Sequence, residues 1–248
     1  MLLSFKNSKT IKENPTTIFE IKNFLNTKDF NELQRFFPSS DFFKKNRVSD
    51  NAEEKFSSSH KNFNKFINEY PIWKKFYEAL NTEEFIKSAF LYSIKPNLKS
   101  RGLRALRLWT TKPKAKFLKF FFNHVYTHIT ITRQKKGQIV FPHKDSANKL
   151  MSLIYYMPDK NWKKTFNGGT EFWKIKKNNL KWKNHEGHVI DEIKKFKNEN
   201  EIIYKSEFDQ NKLIGFTRNN NSWHSVLEIE PIGDVYRKSV NIFIRYKK

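Results

Sequence analysis

His143 and Asp145 are separated by one residue and follow a short β-prone run at 139–141. On an extended backbone, alternate side chains leave the same face, so both groups can reach one metal ion. His224, far along the chain, would complete a set of two imidazoles and one carboxylate. Such a set holds non-haem Fe(II) on one side and leaves its other positions open for reacting molecules. The three residues are therefore predicted to be the metal ligands and the catalytic centre.

Arg237 and Ser239 form a second pair with the same spacing, within the β-rich run 236–246. A guanidinium group binds a carboxylate through two parallel hydrogen bonds, and a neighbouring hydroxyl adds a third. Arg245, in the same run, is the alternative arginine for binding a carboxylate, but it has no serine two residues away. A metal set combined with a carboxylate clamp indicates a chelating keto acid, whose far carboxylate Arg237 and Ser239 are predicted to bind.

A tyrosine hydroxyl is expected to reach the same carboxylate from the strand predicted at 150–157. Tyr155 and Tyr156 are adjacent there, and the alternation of a strand allows only one of them to point inward. Tyr155 is the predicted ligand-binding tyrosine, because Leu153 would then share its face.

Four motifs carry a resemblance to a known family. They are Pro-His-Lys-Asp-Ser at 142–146, Lys-Leu-Met-Ser-Leu-Ile-Tyr-Tyr at 149–156, Asn-Gly-Gly-Thr-Glu-Phe at 167–172 and Asn-Ser-Trp-His-Ser-Val at 221–226. In order and spacing, the sequence resembles the iron(II)- and 2-oxoglutarate-dependent oxygenases, in the prolyl 4-hydroxylase-like branch of bacteria and phages. Lys144 stands where the family often has a neutral residue, which leaves the substrate open.

The resemblance implies a 2-oxoglutarate-dependent dioxygenase, a hydroxylase. Its iron ligands would be His143, Asp145 and His224. Its 2-oxoglutarate clamp would be Arg237 and Ser239. The implied reaction is hydroxylation of an unactivated C–H bond in a peptidyl proline, an amino acid or another small substrate. Dioxygen is consumed, succinate and CO2 are the co-products, and ascorbate is a candidate reductant.

The charge of the chain leaves two alternatives open. Its 48 basic residues exceed its 25 acidic residues, which gives a net charge of +23, and residues 85–144 contain no acidic residue. This favours an anionic partner such as nucleic acid, although lysine-rich coding bias would need none. The alternatives are the same chemistry on a nucleic-acid or other polyanionic substrate, and a basic nucleic-acid-binding jelly roll without catalysis. A zinc hydrolase also uses such ligands, but it needs no keto-acid clamp.

At 248 residues the chain suits one large domain, or a core with a helical extension. Aromatic residues at helical spacing between 59 and 92 predict two or three helices, whereas period-2 runs after residue 103 predict antiparallel strands. We expect a mainly β protein with N-terminal α-helices on a double-stranded β-helix, a cupin-like jelly roll. Residues 1–100 would form the helical support and substrate side, and residues 101–248 the oxygenase core, in one structural unit.

Cysteine is absent, which excludes disulfides and thiolate metal sites and fits a reducing, cytoplasmic location. No apolar run is long enough to span a membrane, so no membrane partner is expected. The remaining histidines are weaker candidates for a metal site. They are a doublet at His185 and His188, the pair His124 and His128, and the single His60.

Overall fold

The computed structural model describes residues 1–43, 53–90, 125–176, 190–226, 229–230 and 235–247. The strands are β1 (Ser8–Lys12), β2 (Ile18–Lys22), β3 (Glu54–Ser57), β4 (Val125–Gln134), β5 (Val140–His143), β6 (Lys149–Tyr156), β7 (Thr170–Lys174), β8 (Glu201–Lys205), β9 (Lys212–Thr217), β10 (Trp223–Val226) and β11 (Arg237–Tyr246). The helices are α1 (Thr27–Arg35), α2 (Phe63–Glu69), α3 (Pro71–Leu80), α4 (83–90) and α5 (Ile190–Glu199). None of these helices is both long and apolar enough to cross a lipid bilayer.

The strands form two antiparallel sheets. The larger sheet has the order β1-β2-β9-β6-β11-β4-β3, and the smaller has the order β5-β10-β7-β8. From β4 onward the chain alternates between the sheets, except that β7 and β8 are neighbours in the smaller one, so that β5, β7 and β10 lie in one sheet and β6, β9 and β11 in the other. The expectation of a mainly β chain with N-terminal helices is confirmed.

Alternation along β11 separates the apolar core from the polar interior between the sheets. Val240, Ile242 and Ile244 are fully buried in the large apolar cluster shared with the helices. Burying each such side chain contributes about 1.5–3 kcal/mol to stability. The residues at odd positions, including Arg237 and Asn241, instead line a cavity between the two sheets. One face of β11 therefore anchors the helices, and the other provides polar groups to a site.

The helices cover the outer face of the larger sheet. Asn26 caps α1, because its Oδ1 accepts a hydrogen bond from the backbone N–H of Asp29 at 2.9 Å. Pro71 occupies the first turn of α3, where a missing N–H costs nothing. Trp73 Nε1 donates to the carbonyl oxygen of Phe36 at 2.6 Å, which ties α3 to the end of α1. With the helices on the outer face, the inner face remains available for ligands.

Several elements lie in polar stretches that show no periodic pattern in the sequence. β1 falls in the polar N-terminal residues and pairs with β2, and β3 falls in the stretch 39–59 and pairs with β4. These are edge strands whose polar residues mask any period-2 pattern. α5 and β8 likewise lie in the polar stretch 176–211. The proposed division near residue 100 lies within 91–124, outside the described residues.

Candidate metal centre and co-substrate pocket

β5 and β10 are neighbours in the smaller sheet, and their register pairs His143 with His224. The centroids of the two imidazole rings lie 4.2 Å apart. Asp145 follows β5 and is buried, with its Oδ2 3.9 Å from Nε2 of His224. One ligand atom from each of the three residues lies within 4.8 Å of the others. The fold thus brings together the three residues predicted to bind metal.

Each imidazole is oriented by the backbone carbonyl two residues before it. Nδ1 of His143 lies 2.8 Å from the carbonyl oxygen of Phe141, and Nδ1 of His224 lies 3.0 Å from that of Ser222. Because a carbonyl oxygen only accepts, Nδ1 carries the proton and the lone pair of Nε2 is free for a metal. Burial, and then the neighbouring His143, lower the pKa of His224 to about 3, so this ring is neutral at neutral pH.

Hydrogen bonds hold both the carboxylate and the backbone carbonyl of Asp145 in place. Its Oδ1 accepts from Lys149 Nζ, and its Oδ2 accepts from Ser152 Oγ. Its backbone carbonyl accepts from Arg218 Nε at 3.1 Å. Burial alone would raise the pKa of Asp145, but His224 and Lys149 outweigh burial and hold this pKa below its ordinary value. Asp145 is therefore an ionised, oriented carboxylate.

These three donors fit a divalent iron ion. Two imidazoles and one carboxylate are the ligand set expected for non-haem Fe(II), and each is held by an outer hydrogen bond. They line a cavity of about 250 Å³, which leaves room for further ligands. The rings of Phe216 and Phe172 lie 4.6 and 6.3 Å from that of His224 and form an apolar wall beside it.

Arg237 lines the same cavity and is buried. Its Nε donates to the carbonyl oxygen of Gly168, and its Nη1 donates to Gln134 Oε1 at 2.9 Å and to Ser239 Oγ at 3.1 Å. Its Nη2 is buried without a hydrogen-bond partner, and so is Nε2 of Gln134. Buried donors without a partner are rare in folded proteins. Two of them on adjacent side chains fit the carboxylate of a ligand.

The structure corrects the choice of tyrosine. Tyr155 faces the helices rather than the cavity: its ring lies 5.3 Å from that of Phe24, and its hydroxyl donates to Asn211 Oδ1 at 2.8 Å. Both faces of β6 are buried and mainly apolar, and the cue in the sequence was Ser152, a polar residue on the same face as Tyr156. Leu153 does share a face with Tyr155, but that face belongs to the helix-covered core.

Tyr156 is the tyrosine on the cavity side. It pairs with Ser239 in the register of β6 and β11, and the guanidinium carbon of Arg237 lies 5.7 Å from the centre of its ring. Its hydroxyl donates to Thr170 Oγ1 at 2.7 Å. Tyr156 thus supports the arginine through its ring while its hydroxyl is bonded elsewhere.

No protein-family model matches the sequence, and no curated protein matches it. The structure, by contrast, is similar to solved structures. It aligns with a prolyl-4-hydroxylase from Pseudomonas putida at a TM-score of 0.54 and 10% identity, over 93% of this chain and 93% of that chain. The chain has the prolyl 4-hydroxylase fold.

A second prolyl 4-hydroxylase structure, from Phytophthora capsici, aligns at a TM-score of 0.51 and 10% identity. The alignment covers 93% of this chain but 59% of that longer chain. The jelly-roll core expected from the sequence is thereby confirmed. In this prolyl 4-hydroxylase fold the strands of the smaller sheet supply both imidazoles, and the larger sheet supplies Arg237.

Three polar residues of the pocket were not identified from the sequence. Gln134 lies opposite Arg237 in the register of β4 and β11, and Lys149 and Ser152 lie on β6 beside Asp145. Polar residues at alternate positions near the end of β4 were a signal for Gln134 in the sequence. Lys149 and Ser152 had no comparable signal, because their contacts depend on the course of the chain between β5 and β6.

The two other histidines among the described residues, His60 and His128, lie away from the candidate metal centre. His128 lies on β4, with Nδ1 3.1 Å from Ser58 Oγ, and the ring of His60 lies 5.5 Å from that of Phe56. His124, His185 and His188 lie outside the described residues. So does most of the basic stretch 85–144, since residues 91–124 are not described.

The corner at Gly168 and Gly169 positions Arg237. Gly168 has a φ of 92°, which favours glycine, and its carbonyl accepts from Arg237. A Cβ built on Gly169 would lie 1.6 Å from the backbone oxygen of Ser206. Gly169→Ala is therefore expected to displace the backbone here, lower the free energy of unfolding by about 1–3 kcal/mol or more, and weaken binding of a carboxylate ligand at Arg237. Urea unfolding curves check the first effect.

Gly137→Ala is the matched control for this substitution. Gly137 has a φ of 79°, but a Cβ there meets nothing within 4 Å. Its replacement should cost only the strain of the left-handed backbone, about 1–2 kcal/mol, without changing ligand binding. Wild-type stability and ligand affinity in Gly169→Ala would show that the corner is not tightly packed.

Proposed function

We propose that the protein is an Fe(II)- and 2-oxoglutarate-dependent oxygenase that hydroxylates an unactivated C–H bond. One observation carries the proposal. A single cavity is lined by the three oriented metal donors and by a buried guanidinium group with an unsatisfied N–H. A metal hydrolase would need only the metal donors. An enzyme that binds a chelating dicarboxylic keto acid would need the metal donors and the buried guanidinium group together.

His143, Asp145 and His224 would hold the iron, and Arg237 with Ser239 would hold the distal carboxylate of 2-oxoglutarate. Iron with 2-oxoglutarate and dioxygen supplies the oxidising power for hydroxylation and releases succinate and CO2. Lys149 and Ser152 keep the carboxylate of Asp145 in one orientation.

The apolar wall formed by Phe172 and Phe216 would exclude water from the site. In such an environment the charged hydrogen bonds of Arg237 are stronger than they would be in water. Ser239 Oγ also bonds Thr132 Oγ1 at 2.8 Å, which holds this hydroxyl beside the guanidinium group. The co-substrate would thus be fixed at both ends before the substrate enters.

The substrate proposed first is a peptidyl proline, an amino acid or another small molecule. The cavity of about 250 Å³ suits a small group rather than a large ring system once iron and 2-oxoglutarate occupy part of it. The net charge of +23 supports a second candidate, the same chemistry on a nucleic-acid or other polyanionic substrate.

Anaerobic addition of Fe(II) and 2-oxoglutarate is expected to produce the weak visible charge-transfer band of an iron-chelated keto acid. Zn(II) is the matched control, because its filled d shell gives no such band. Admission of dioxygen should then yield succinate, measured by mass spectrometry. A folded protein, verified by circular dichroism, that shows neither the band nor succinate would contradict the proposal.

A further inference from the structure

A second arginine lines the cavity at the far end of the same strand. Arg245 is eight residues after Arg237 on β11, so strand alternation places both on the cavity face. Lys149, the register partner of Arg245, also lines the cavity. Both cations lie against the ring of Phe243, with Lys149 Nζ 3.6 Å and the guanidinium carbon of Arg245 5.2 Å from its centroid.

The cations of the cavity outnumber its carboxylates. The described lining residues include four cations, Lys55, Lys149, Arg237 and Arg245, but two carboxylates, Glu53 and Asp145. The two charges of Fe(II) are cancelled by the two charges of 2-oxoglutarate, so loading the site leaves this excess unchanged. Glu53 pairs with Lys55 at 2.9 Å, and the co-substrate would fill the clamp of Arg237. Lys149 and Arg245 would then carry the excess positive charge, because bound iron would share the carboxylate of Asp145.

Arg245 has a hydrogen-bond donor that could bind an anion. Its Nε is buried without a hydrogen-bond partner, and among the described residues no carboxylate forms a salt bridge with it. The positive charge around Arg245 also affects nearby His128. Burial, and then the charges of Arg245 and Lys149, lower the pKa of His128 to about 4. An unsatisfied guanidinium N–H in a region of positive potential stabilises a bound anion.

We infer that the substrate carries a carboxylate or phosphate group, which binds to Arg245 beside Lys149 and Phe243. This inference rests on the proposed function and names the substrate class of the same site. Arg245 would orient the substrate by its charged group, while the C–H bond to be hydroxylated lies towards the metal donors.

The test titrates inorganic phosphate and, separately, acetate into the protein loaded anaerobically with Fe(II) and 2-oxoglutarate, at constant ionic strength, with calorimetry as the readout. Arg245→Gln should weaken binding of the preferred anion by about tenfold or more. Arg35→Gln, in α1 on the helical side, is the matched control and should bind as the wild type does. The tighter of the two anions identifies the charged group. Equal affinities in wild type and Arg245→Gln, or an equal loss in Arg35→Gln, would overturn the inference.

A measurement on the unaltered chain covers the case in which Arg245→Gln does not fold. Phosphate or acetate should slow modification of Arg245 by phenylglyoxal, followed by mass spectrometry, and should leave Arg35 unprotected. Equal rates with and without either anion would contradict the site. The charge-transfer band distinguishes the two proposals: a band without anion binding at Arg245 removes only this inference. Anion binding at Arg245 without a band removes the oxygenase and leaves the anion site.

Discussion

Replacement of His224 by alanine is expected to abolish formation of the Fe(II)–2-oxoglutarate charge-transfer band. Loss of a residue that merely orients a ligand typically weakens metal binding 10- to 100-fold, so loss of a ligand itself should cost more than about 100-fold. His143→Ala should have the same effect, because its imidazole is oriented in the same way, by the carbonyl oxygen two residues before it. Anaerobic titration with Fe(II) in the presence of 2-oxoglutarate measures both effects.

His128→Ala is the control for the loss of an imidazole. His128 is half-buried on β4 and contacts Ser58 and Phe243 rather than Asp145. Its replacement should leave the band and the iron affinity nearly unchanged. If the band persisted in both His143→Ala and His224→Ala, iron would have to be bound elsewhere, and the assignment of the metal centre would be wrong.

Arg237→Lys is expected to weaken 2-oxoglutarate binding by roughly 10- to 150-fold. A charged hydrogen-bonded pair contributes about 1.5–3 kcal/mol, and a lysine cannot reproduce the two parallel bonds of a guanidinium group. Arg237→Ala should be worse, because the distal carboxylate would then be buried without a charged partner. Iron affinity should stay nearly constant in both variants, since Arg237 makes none of its hydrogen bonds to the metal donors.

Arg245→Lys separates the two arginines of β11. It keeps the charge at the other end of the cavity, so 2-oxoglutarate affinity should remain within about threefold of the wild type. Titration of 2-oxoglutarate into the Fe(II)-loaded proteins compares the variants directly. A larger loss in Arg245→Lys than in Arg237→Lys would mean that the clamp had been assigned to the wrong arginine.

The elements that position the site were largely predictable from local patterns. One of the period-2 runs after residue 103, the β-branched run 125–132, forms β4, which continues to Gln134. The aromatic residues at helical spacing between 59 and 92 predicted helices there, and α2 and α3 occupy this stretch. Such patterns are readable because each element buries one face, and burial of one face imposes its period on the sequence.

Contacts between distant strands were less predictable. Gln134 meets Arg237 because ten consecutive pairs align β4 with β11, and a shift of one residue would have turned Gln134 to the other face. The same dependence explains the error at Tyr155. β6 is buried on both sides, so its sequence is mainly apolar on both faces, and Ser152 on the face of Tyr156 was too weak a signal to distinguish the helices from the cavity.

The sequence by itself identified the candidate site residues: two imidazoles and a carboxylate as metal ligands, and an arginine–serine pair as a carboxylate clamp. His143 and Asp145, like Arg237 and Ser239, are spaced to share a face of a strand. Only the tertiary structure decided which side chains surround them. The jelly roll pairs β5 with β10 and so sets His143 against His224, and it places Arg237 and Arg245 in one cavity with Lys149 between Asp145 and Phe243. The physical reason is the separation in sequence of the residues that interact. The alternation of side chains along a strand relates residues two positions apart and can be recognised in a short stretch of sequence. Sheet register and the charge balance of a cavity depend instead on residues far apart in the chain.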